Sequence, residues 1–393
     1  MTAISDQLSV ISKTATGTSA EQSAFRSQHS AVTRLSFSWR TSVLAAVLLL
    51  GLPPLSFAAA RPQLSNGKLV EQASSGDLGK DVAAISGPAW VGYSEPVIPG
   101  EHHICCWNSY DQFRSNPNCC GGCNLEGPKG GSFHGEKVST CNLEAASEFF
   151  VLMRVEGGTV GKVRTFSADC GLDAGGLTVH WLSGVSAEQS IGFLSRLAEQ
   201  RESESKRGDE SLVAIAMHNS PLADGTLNRF MAAGNPEHTR EQAAFWLASS
   251  RGRKGFEAVR QAVRTDRDPT FLKHATFAIS TSKEPEAQDE LIRMARNDSR
   301  SRVREQALFW LAQKAGEKVS RTLSDAIEND PDTDVKRKAV FALSQMPEYE
   351  GVPLLIQTAQ NNHNAAVRKE AMFWLGQSHD PRALDFIESV LRK

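Results

Sequence analysis

The chain has 393 residues, with 43 Lys and Arg against 45 Asp and Glu, which gives a formal net charge of −2. This length suits two or three domains rather than one small core. The 40% hydrophobic content and the near-neutral charge exclude a wholly disordered chain, a protein with many membrane spans and a strongly basic nucleic-acid binder.

The first 60 residues, 1–60, have the features of an export signal. Arg34 and Arg40 precede an apolar run from Val43 to Phe57, and the small residues Ala58-Ala59-Ala60 follow it. This order is typical of a secretory signal peptide, here with a long polar n-region. The apolar run is shorter than the ~20 residues that span a bilayer, so cleavage is favoured over a retained anchor. We therefore expect a periplasmic or secreted protein with no stable membrane span after cleavage.

The next two segments differ in composition. Residues 61–87 are polar and small, and we interpret them as a flexible linker. Residues 88–185 contain all seven cysteines among many Gly and Asn. Apolar runs at 149–155 and 160–166 flank a Gly-Gly turn, and a third run lies at 177–182, a pattern that predicts three strands. Residues 88–185 are therefore predicted to form a small β-rich domain.

The cysteines have two interpretations. In an exported chain they form disulfide bonds, which would stabilise a Gly-rich domain with little core. The alternative is a metal or redox site, because His102 and His103 precede Cys105 and a Cys-x-x-Cys motif follows. No second well-spaced pair completes a zinc pattern and no thioredoxin-like pattern surrounds the motif, so we favour disulfides and expect no metal or cofactor. The odd number leaves one cysteine over, and spacing does not fix the pairing. The disulfide candidates are Cys105, Cys106, Cys119, Cys120, Cys123, Cys141 and Cys170.

A 32-residue repeat runs through the last segment, residues 186–393. Five eight-residue copies each carry Ala at position four, Phe at position six and Leu or Ile at position eight. On a helix the Phe lies about 200° from the Ala, so the helix is apolar on two sides and must lie between neighbours. A second apolar helix follows each copy, which predicts an αα solenoid. The copies begin at Arg240, Leu272, Arg304, Lys336 and Arg368.

The residue after the repeated Phe alternates between Trp and Ala, a superperiod of two units. We interpret this alternation as large side chains packing against small ones. The alternative is a row of exposed Trp side chains that bind a ligand. The alternating residues are Trp246, Ala278, Trp310, Ala342 and Trp374.

The turn that joins Asp298 to Val303-Arg304, with its copy at Asp330, precedes an Ala and a Leu. This pattern resembles HEAT repeats of the bacterial type also found in phycobilisome-lyase-like proteins. The resemblance covers about residues 188–393 and implies a curved stack whose second helices line a concave, partner-binding surface. Deoxyhypusine hydroxylases, which are HEAT-like enzymes, hold iron with His-Glu pairs, but none of the ten His here precedes Glu. The order of signal, Cys-containing β module and repeats is similar to exported HEAT-repeat proteins.

Basic residues are concentrated on the predicted second helices. Between Arg251 and Arg304 there are 13 Lys and Arg against 8 Asp and Glu. Such a face favours an acidic protein partner or a cell-envelope polyanion over nucleic acid, given the acidic remainder of the chain. The candidate binding residues are Arg260, Arg264, Arg293 and Arg296.

The chain contains no nucleophile elbow, phosphate-binding Gly loop or His-Glu-x-x-His motif. We therefore predict an exported protein-binding scaffold rather than an enzyme. The alternative function is a metal-dependent or redox enzyme that uses the Cys/His module. The predicted fold is α+β by domains, with a small disulfide-linked β-rich domain followed by an all-α HEAT-like αα solenoid.

Overall fold

A computed structural model of the protein describes residues 60–100, 123–126, 147–200, 206–314 and 316–392. In this part of the chain a small strand-containing region precedes a helical solenoid, and the helices number 14. None of these described helices is long and apolar enough to cross a membrane.

The described strands form two sheets. The strands are β1 (Gln63–Ser65), β2 (Lys68–Ala73), β3 (Ala89–Pro96), β4 (Cys123–Asn124), β5 (Glu148–Glu156), β6 (Thr159–Ser167), β7 (Gly171–Asp173) and β8 (Thr178–Ser183). The larger sheet has the order β2-β8-β3-β5-β6, in which β8 runs parallel to β2 and β3 while β5 runs antiparallel to β3 and β6. The smaller sheet is parallel, in the order β1-β7-β4.

The three strands predicted from the apolar runs are confirmed as β5, β6 and β8. Gly157 and Gly158, between β5 and β6, have φ angles of 55° and 71°. A type I′ hairpin turn needs positive φ at both central residues, which explains the Gly pair.

Both faces of the larger sheet are covered by hydrophobic cores. Successive side chains of a strand point to opposite faces, so neighbouring residues of one strand belong to different cores. Trp90 and Phe150 on one face form a core with Leu172 of the smaller sheet. Val91 and Val151 on the opposite face belong to the core that continues into the helices. Strand β3 is buried on nearly every residue, so it lacks the alternation from which a strand is predicted.

Residues 61–87 do not form the predicted flexible linker. They contain β1, β2 and helix α1 (Leu78–Ala83), and β2 pairs with β8 along its whole length. Asp77 caps α1, and Leu78 and Val82 are buried in the core. The prediction was wrong because an edge strand and a two-turn helix need few apolar residues, and their partners lie far along the chain.

The predicted pairs of helices are confirmed across the repeats. The first helices of the five units are α5 (Glu237–Ser250), α7 (Pro269–Thr281), α9 (Ser301–Ala312), α11 (Thr333–Ser344) and α13 (Ala365–Gln377). The second helices are α6 (Gly252–Thr265), α8 (Ala287–Asn297), α10 (Glu317–Asn329), α12 (Glu348–Asn361) and α14 (Pro381–Leu391). Helices α2 (Ala187–Glu199), α3 (Lys206–Met217) and α4 (Pro221–Met231) precede these units.

Small residues let successive first helices pack side by side. The Ala at position four of every copy is completely buried where one first helix meets the next. A larger side chain at this position would force the helices apart. The residues of this column are Ala243, Ala275, Ala307, Ala339 and Ala371.

An Asp or Asn side chain holds the turn after each of the first four second helices. Its oxygen accepts a hydrogen bond from the backbone N–H two residues later, at 2.9 to 3.0 Å. In two units a buried Arg of the first helix also pairs with this Asp, namely Arg240 with Asp266 and Arg304 with Asp330. Each pair ties the start of its first helix to the end of its second helix.

The larger sheet and the helices of the solenoid share one hydrophobic core. The Val163 N–H of β6 donates to Glu210 on α3 at 3.0 Å, and the Arg207 guanidinium donates to the Val160 carbonyl at 2.8 Å. Helix α2 begins after Ser186, so the predicted boundary at 185/186 separates strands from helices but does not separate two cores.

Candidate partner-binding surface

The four predicted binding arginines lie on two neighbouring second helices and are paired with carboxylates. Arg260 pairs with Glu257 on its own helix, α6. Arg264 of α6 and Arg293 of α8 both contact Glu290, at 3.4 and 2.6 Å. Arg296 reaches from α8 to Asp325 on α10, at 3.6 Å. The structure therefore brings the arginines onto one face but supplies each with an acidic partner.

Further ion pairs join the same helices. Arg253 of α6 pairs with Glu286 just before α8, and Lys318 of α10 pairs with Asp289 of α8. These side chains are largely exposed, and such pairs contribute little to stability individually. Acidic and basic side chains alternate across these helices. This face therefore carries far less positive charge than the positions of the four arginines suggest.

The first helices carry a different feature, a continuous column of aromatic rings. Phe245 stacks on Phe277 with 5.8 Å between ring centroids, and Phe309 stacks on Phe341 at 6.0 Å. Phe277 is buried, whereas the other rings are half-buried and the last, Phe373, is 54% exposed. We call these five residues the aromatic column.

One Trp side chain bridges the two stacked pairs of the column, and another joins the second pair to Phe373. The Trp310 ring lies 4.7 Å from Phe277 and 4.9 Å from Phe309, and the Trp374 ring lies 5.0 Å from Phe341. Trp246 and Trp310 are only 8% and 7% exposed, so the alternative of an exposed Trp row is wrong for these two. Trp374 is half-buried, and its indole N–H donates to Glu370 at 3.0 Å.

Neutral polar side chains border the column on one side. The residue four positions after each Phe is Ser or Thr in the first two units and Gln in the last three. Gln313, Gln345 and Gln377 are exposed, so their amides can both donate and accept hydrogen bonds. A pocket of about 200 Å³ opens beside this row, between Gln345, Gln377 and Trp374. The row was not among the features predicted from the sequence, although three Gln at intervals of 32 indicate it.

On the other side of the column, charged groups are partly buried. His274 Nε2 lies 3.0 Å from the Glu241 carboxylate. Burial raises the pKa of Glu241 to about 7 and lowers the pKa of His274 to about 4. The Lys338 ammonium lies over the Phe309 and Phe341 rings, with 4.5 Å to the second. This border of the column therefore carries the positive charge of Lys338 beside a Glu241–His274 pair in which burial favours the neutral form of both side chains.

A buried polar network lies between the sheet and α2. The Ser190 hydroxyl lies 2.8 Å from His218 Nε2 and 2.7 Å from the Tyr93 hydroxyl. A Ser–His contact is the arrangement of a nucleophile and its base. All three residues are nevertheless completely buried, so substrate cannot reach them. The Arg251 guanidinium closes the network by donating to the His218 carbonyl at 2.6 Å.

Most of the Cys/His module lies outside the described residues. This applies to His102, His103 and the side chains of the six cysteines before Cys170. Cys170 itself is buried in the core between the two sheets. Within the described part of the chain, no group of three or more His, Cys, Asp or Glu side chains is placed to hold a metal ion.

Two segments of the chain, residues 224–312 and 320–393, match the family model for HEAT repeats. The structure and this match together show that the chain contains HEAT repeats stacked as a solenoid. No curated protein matches the chain significantly.

Several solved structures are similar to the solenoid. Human deoxyhypusine hydroxylase in complex with glycerol is 14% identical, over 52% of this chain and 90% of that one, with a TM-score of 0.25. The complex of CpcE and CpcF of phycocyanin lyase from Nostoc sp. PCC7120 is 15% identical, over 39% and 97%, with a TM-score of 0.30. Kap121p is 16% identical, over 48% of this chain but 25% of its own, with a TM-score of 0.31.

Proposed function

We propose that this protein is a scaffold whose aromatic column and adjacent Gln row bind an extended segment of a partner protein. The observation that carries the proposal is the uninterrupted column over five units, in which four of the five rings remain accessible. The packing of one first helix on the next requires the buried Ala column. It does not require aromatic side chains on the outer side of these helices, where the column lies. Three of these rings stay partly exposed and Phe373 is exposed, and apolar side chains that remain accessible along one line mark an interaction site.

The chemistry of the column favours an extended peptide. The edges of aromatic rings carry partial positive charge, which attracts the carbonyl oxygens of a peptide to the accessible rings of the column. The amides of Gln313, Gln345 and Gln377 repeat once per unit, and each can pair with a peptide group. The pocket beside Trp374 is large enough for one partner side chain, which would fix the register.

Photocrosslinking tests which face binds. p-Benzoylphenylalanine replaces Phe309 or Phe341 in the full chain, and a control places it at Arg321, which is exposed on the second helix α10. We expect a discrete crosslinked protein from both column positions and none from position 321. Crosslinks from the control position alone, or none from the column, would contradict the proposal.

Binding affinity of the crosslinked partner provides the second measurement. We expect Gln313→Ala and Gln345→Ala to weaken binding, by roughly fivefold each if one hydrogen bond of about 1 kcal/mol is lost. Gln261→Ala, at an exposed position on α6, is the matched control and should leave affinity unchanged.

We further propose that the scaffold acts outside the cytoplasm, in the periplasm or as a secreted protein, with a disulfide-linked β region. The basic, apolar and small-residue order of residues 34–60 supports export. The concentration of seven cysteines within residues 88–185, with Cys170 buried in the core between the two sheets, supports disulfide formation in an oxidising compartment.

Mass spectrometry of protein recovered without reductant tests the export proposal. We expect an N-terminus near residues 59–61 and a mass deficit of two hydrogens per disulfide. A chain that retains residues 1–60, with all seven cysteines reactive toward maleimide, would overturn it.

A further inference from the structure

One half-buried cation of the described solenoid contacts aromatic rings instead of an acidic group. The Lys338 ammonium, on α11, lies 4.5 Å from the centroid of the Phe341 ring and 5.6 Å from that of Phe309. Every other buried or half-buried Lys or Arg of the described solenoid donates to a carboxylate or to a backbone carbonyl. Within this part of the chain Lys338 has neither kind of partner, so its donors are available to a ligand.

The preceding pair of units has the same arrangement without the free charge. His274 and Glu241 occupy the positions of Lys338 and Glu305 two units earlier, and they lie 3.0 Å apart. No ion pair joins Lys338 to Glu305, both of which the structure describes. Burial is the largest influence on Glu305 and raises the pKa of its carboxyl group. The border of the column is therefore neutral beside the first stacked pair of rings and positive beside the second.

The position of Lys338 indicates what kind of anion it meets. Further rings of the column lie on both sides of the Phe309–Phe341 pair, so an extended segment along the column passes Lys338 with an internal residue. A side-chain carboxylate therefore fits better than a C-terminal one. The neighbouring Arg337 is already paired with Glu370 at 2.9 Å, which leaves one ammonium group, and its single charge matches that of a carboxylate.

We propose that Lys338 binds the side-chain carboxylate of an Asp or Glu residue in the partner segment and so selects acidic segments for the column. This inference rests on the proposed function, because it names one residue of the segment that the column binds. The rings beneath the ammonium keep solvent from one side of the ion pair, and exclusion of water strengthens such a pair relative to a fully exposed one.

Selection of random peptides displayed on phage tests this preference with the full chain immobilised. Each peptide is fused to the coat protein through its C-terminus, so that side chains supply its carboxylates. We expect peptides enriched on the wild type to share an acidic residue at one fixed position. Lys338→Met should lose this preference while keeping an apolar contact with the rings, because Met packs favourably on aromatic side chains.

A double-mutant cycle assigns the contact. The most enriched sequence is synthesised as an amide with Glu or Gln at the acidic position, and each peptide is titrated against the wild type and Lys338→Met. We expect the change from Glu to Gln to weaken binding to the wild type about tenfold and to have little effect on Lys338→Met. Glu305→Gln should strengthen binding of the Glu peptide about threefold, because a competing carboxylate is removed.

Lys254→Met is the matched control, since Lys254 is an exposed Lys on the second helix α6. It should leave both affinities unchanged. Equal discrimination between the two peptides by the wild type and Lys338→Met would overturn the inference. Enriched peptides without a fixed acidic position would also overturn it, as would tighter binding of the free acid than of the amide, which would assign the contact to a C-terminal carboxylate.

Gln345→Ala distinguishes failure of this inference from failure of the proposed function. If the column and the Gln row bind the segment, this variant should weaken the Glu and Gln peptides equally. Weakening by Gln345→Ala without discrimination by Lys338 would retain the proposed function and reject the acidic contact. Selection of no peptide at all would overturn both.

Discussion

Tyr93 on β3 and Ser190 on α2 are joined by a 2.7 Å hydrogen bond between hydroxyl groups that lie 97 residues apart in the chain. His218 extends this contact. Its Nδ1 lies 2.7 Å from the Ala214 carbonyl and must donate, so Nε2 accepts from Ser190. Burial lowers the pKa of His218 to about 4, which keeps the imidazole neutral in this arrangement. The network therefore fixes the larger sheet against helix α2.

Removing the Tyr93 hydroxyl should weaken this junction. We expect Tyr93→Phe to lower the free energy of unfolding by about 1–3 kcal/mol, because Ser190 loses a buried hydrogen-bond partner. Urea denaturation measures the change. Tyr349→Phe, at a 69% exposed position, is the control and should be neutral. Equal denaturation midpoints for the two variants would show that the network does not stabilise the junction.

Glu95 should make stability depend on pH. Burial, with smaller contributions from Glu188 and Glu148, raises its pKa from 4.5 to about 8. The native state therefore retains a proton that the unfolded state releases, and stability falls as the pH rises from 4.5 through 8. We expect Glu95→Gln to raise Tm by about 2 °C or more at pH 9 and to change it little near pH 4.5.

The matched control for Glu95 is Glu156→Gln, since the Glu156 side chain is exposed. Its Tm should follow the wild type at every pH. If the Tm of Glu95→Gln also equalled that of the wild type from pH 4.5 to pH 9, titration of Glu95 would not cause the loss of stability at high pH.

One substitution should have opposite effects at two glycines. A Cβ at Gly255 would lie 1.9 Å from the Leu247 carbonyl oxygen, where α6 crosses the end of α5. We expect Gly255→Ala to cost about 1–3 kcal/mol, because the two helices must separate. At Gly192, inside α2, a Cβ meets nothing within 4 Å. Gly192→Ala should therefore stabilise the protein by about 0.5–1 kcal/mol. Thermal denaturation of both variants checks the signs.

The face of α6 and α8 that carries Arg260, Arg264, Arg293 and Arg296 remains a predicted polyanion site. Removing the carboxylates that pair with these arginines tests the prediction in the direction opposite to charge reversal. If Arg260 and Arg293 bind polyanions, Glu257→Gln/Glu290→Gln should strengthen binding of dextran sulfate by freeing both guanidinium groups. Arg260→Glu/Arg293→Glu should abolish it. Binding that is unaffected by either pair of changes, measured at constant salt, would exclude this face as the site.

The repeat architecture was determined by the sequence alone, because each unit contacts mainly its neighbours and its signals recur every 32 residues. Ala243, Phe245 and Leu247 define a helix with two apolar sides, and Asp266 marks the turn that follows. The hairpin of β5 and β6 was equally local, since Gly157 and Gly158 specify its turn.

Only the tertiary structure decided the features that depend on distant contacts. Strand β2 exists because β8, more than a hundred residues later, supplies its hydrogen bonds. Arg264 and Arg293 suggested a positive face, but the fold brings Glu290 between them. The exposure of the aromatic column follows from which neighbours cover a helix, and neither periodicity nor composition encodes that coverage.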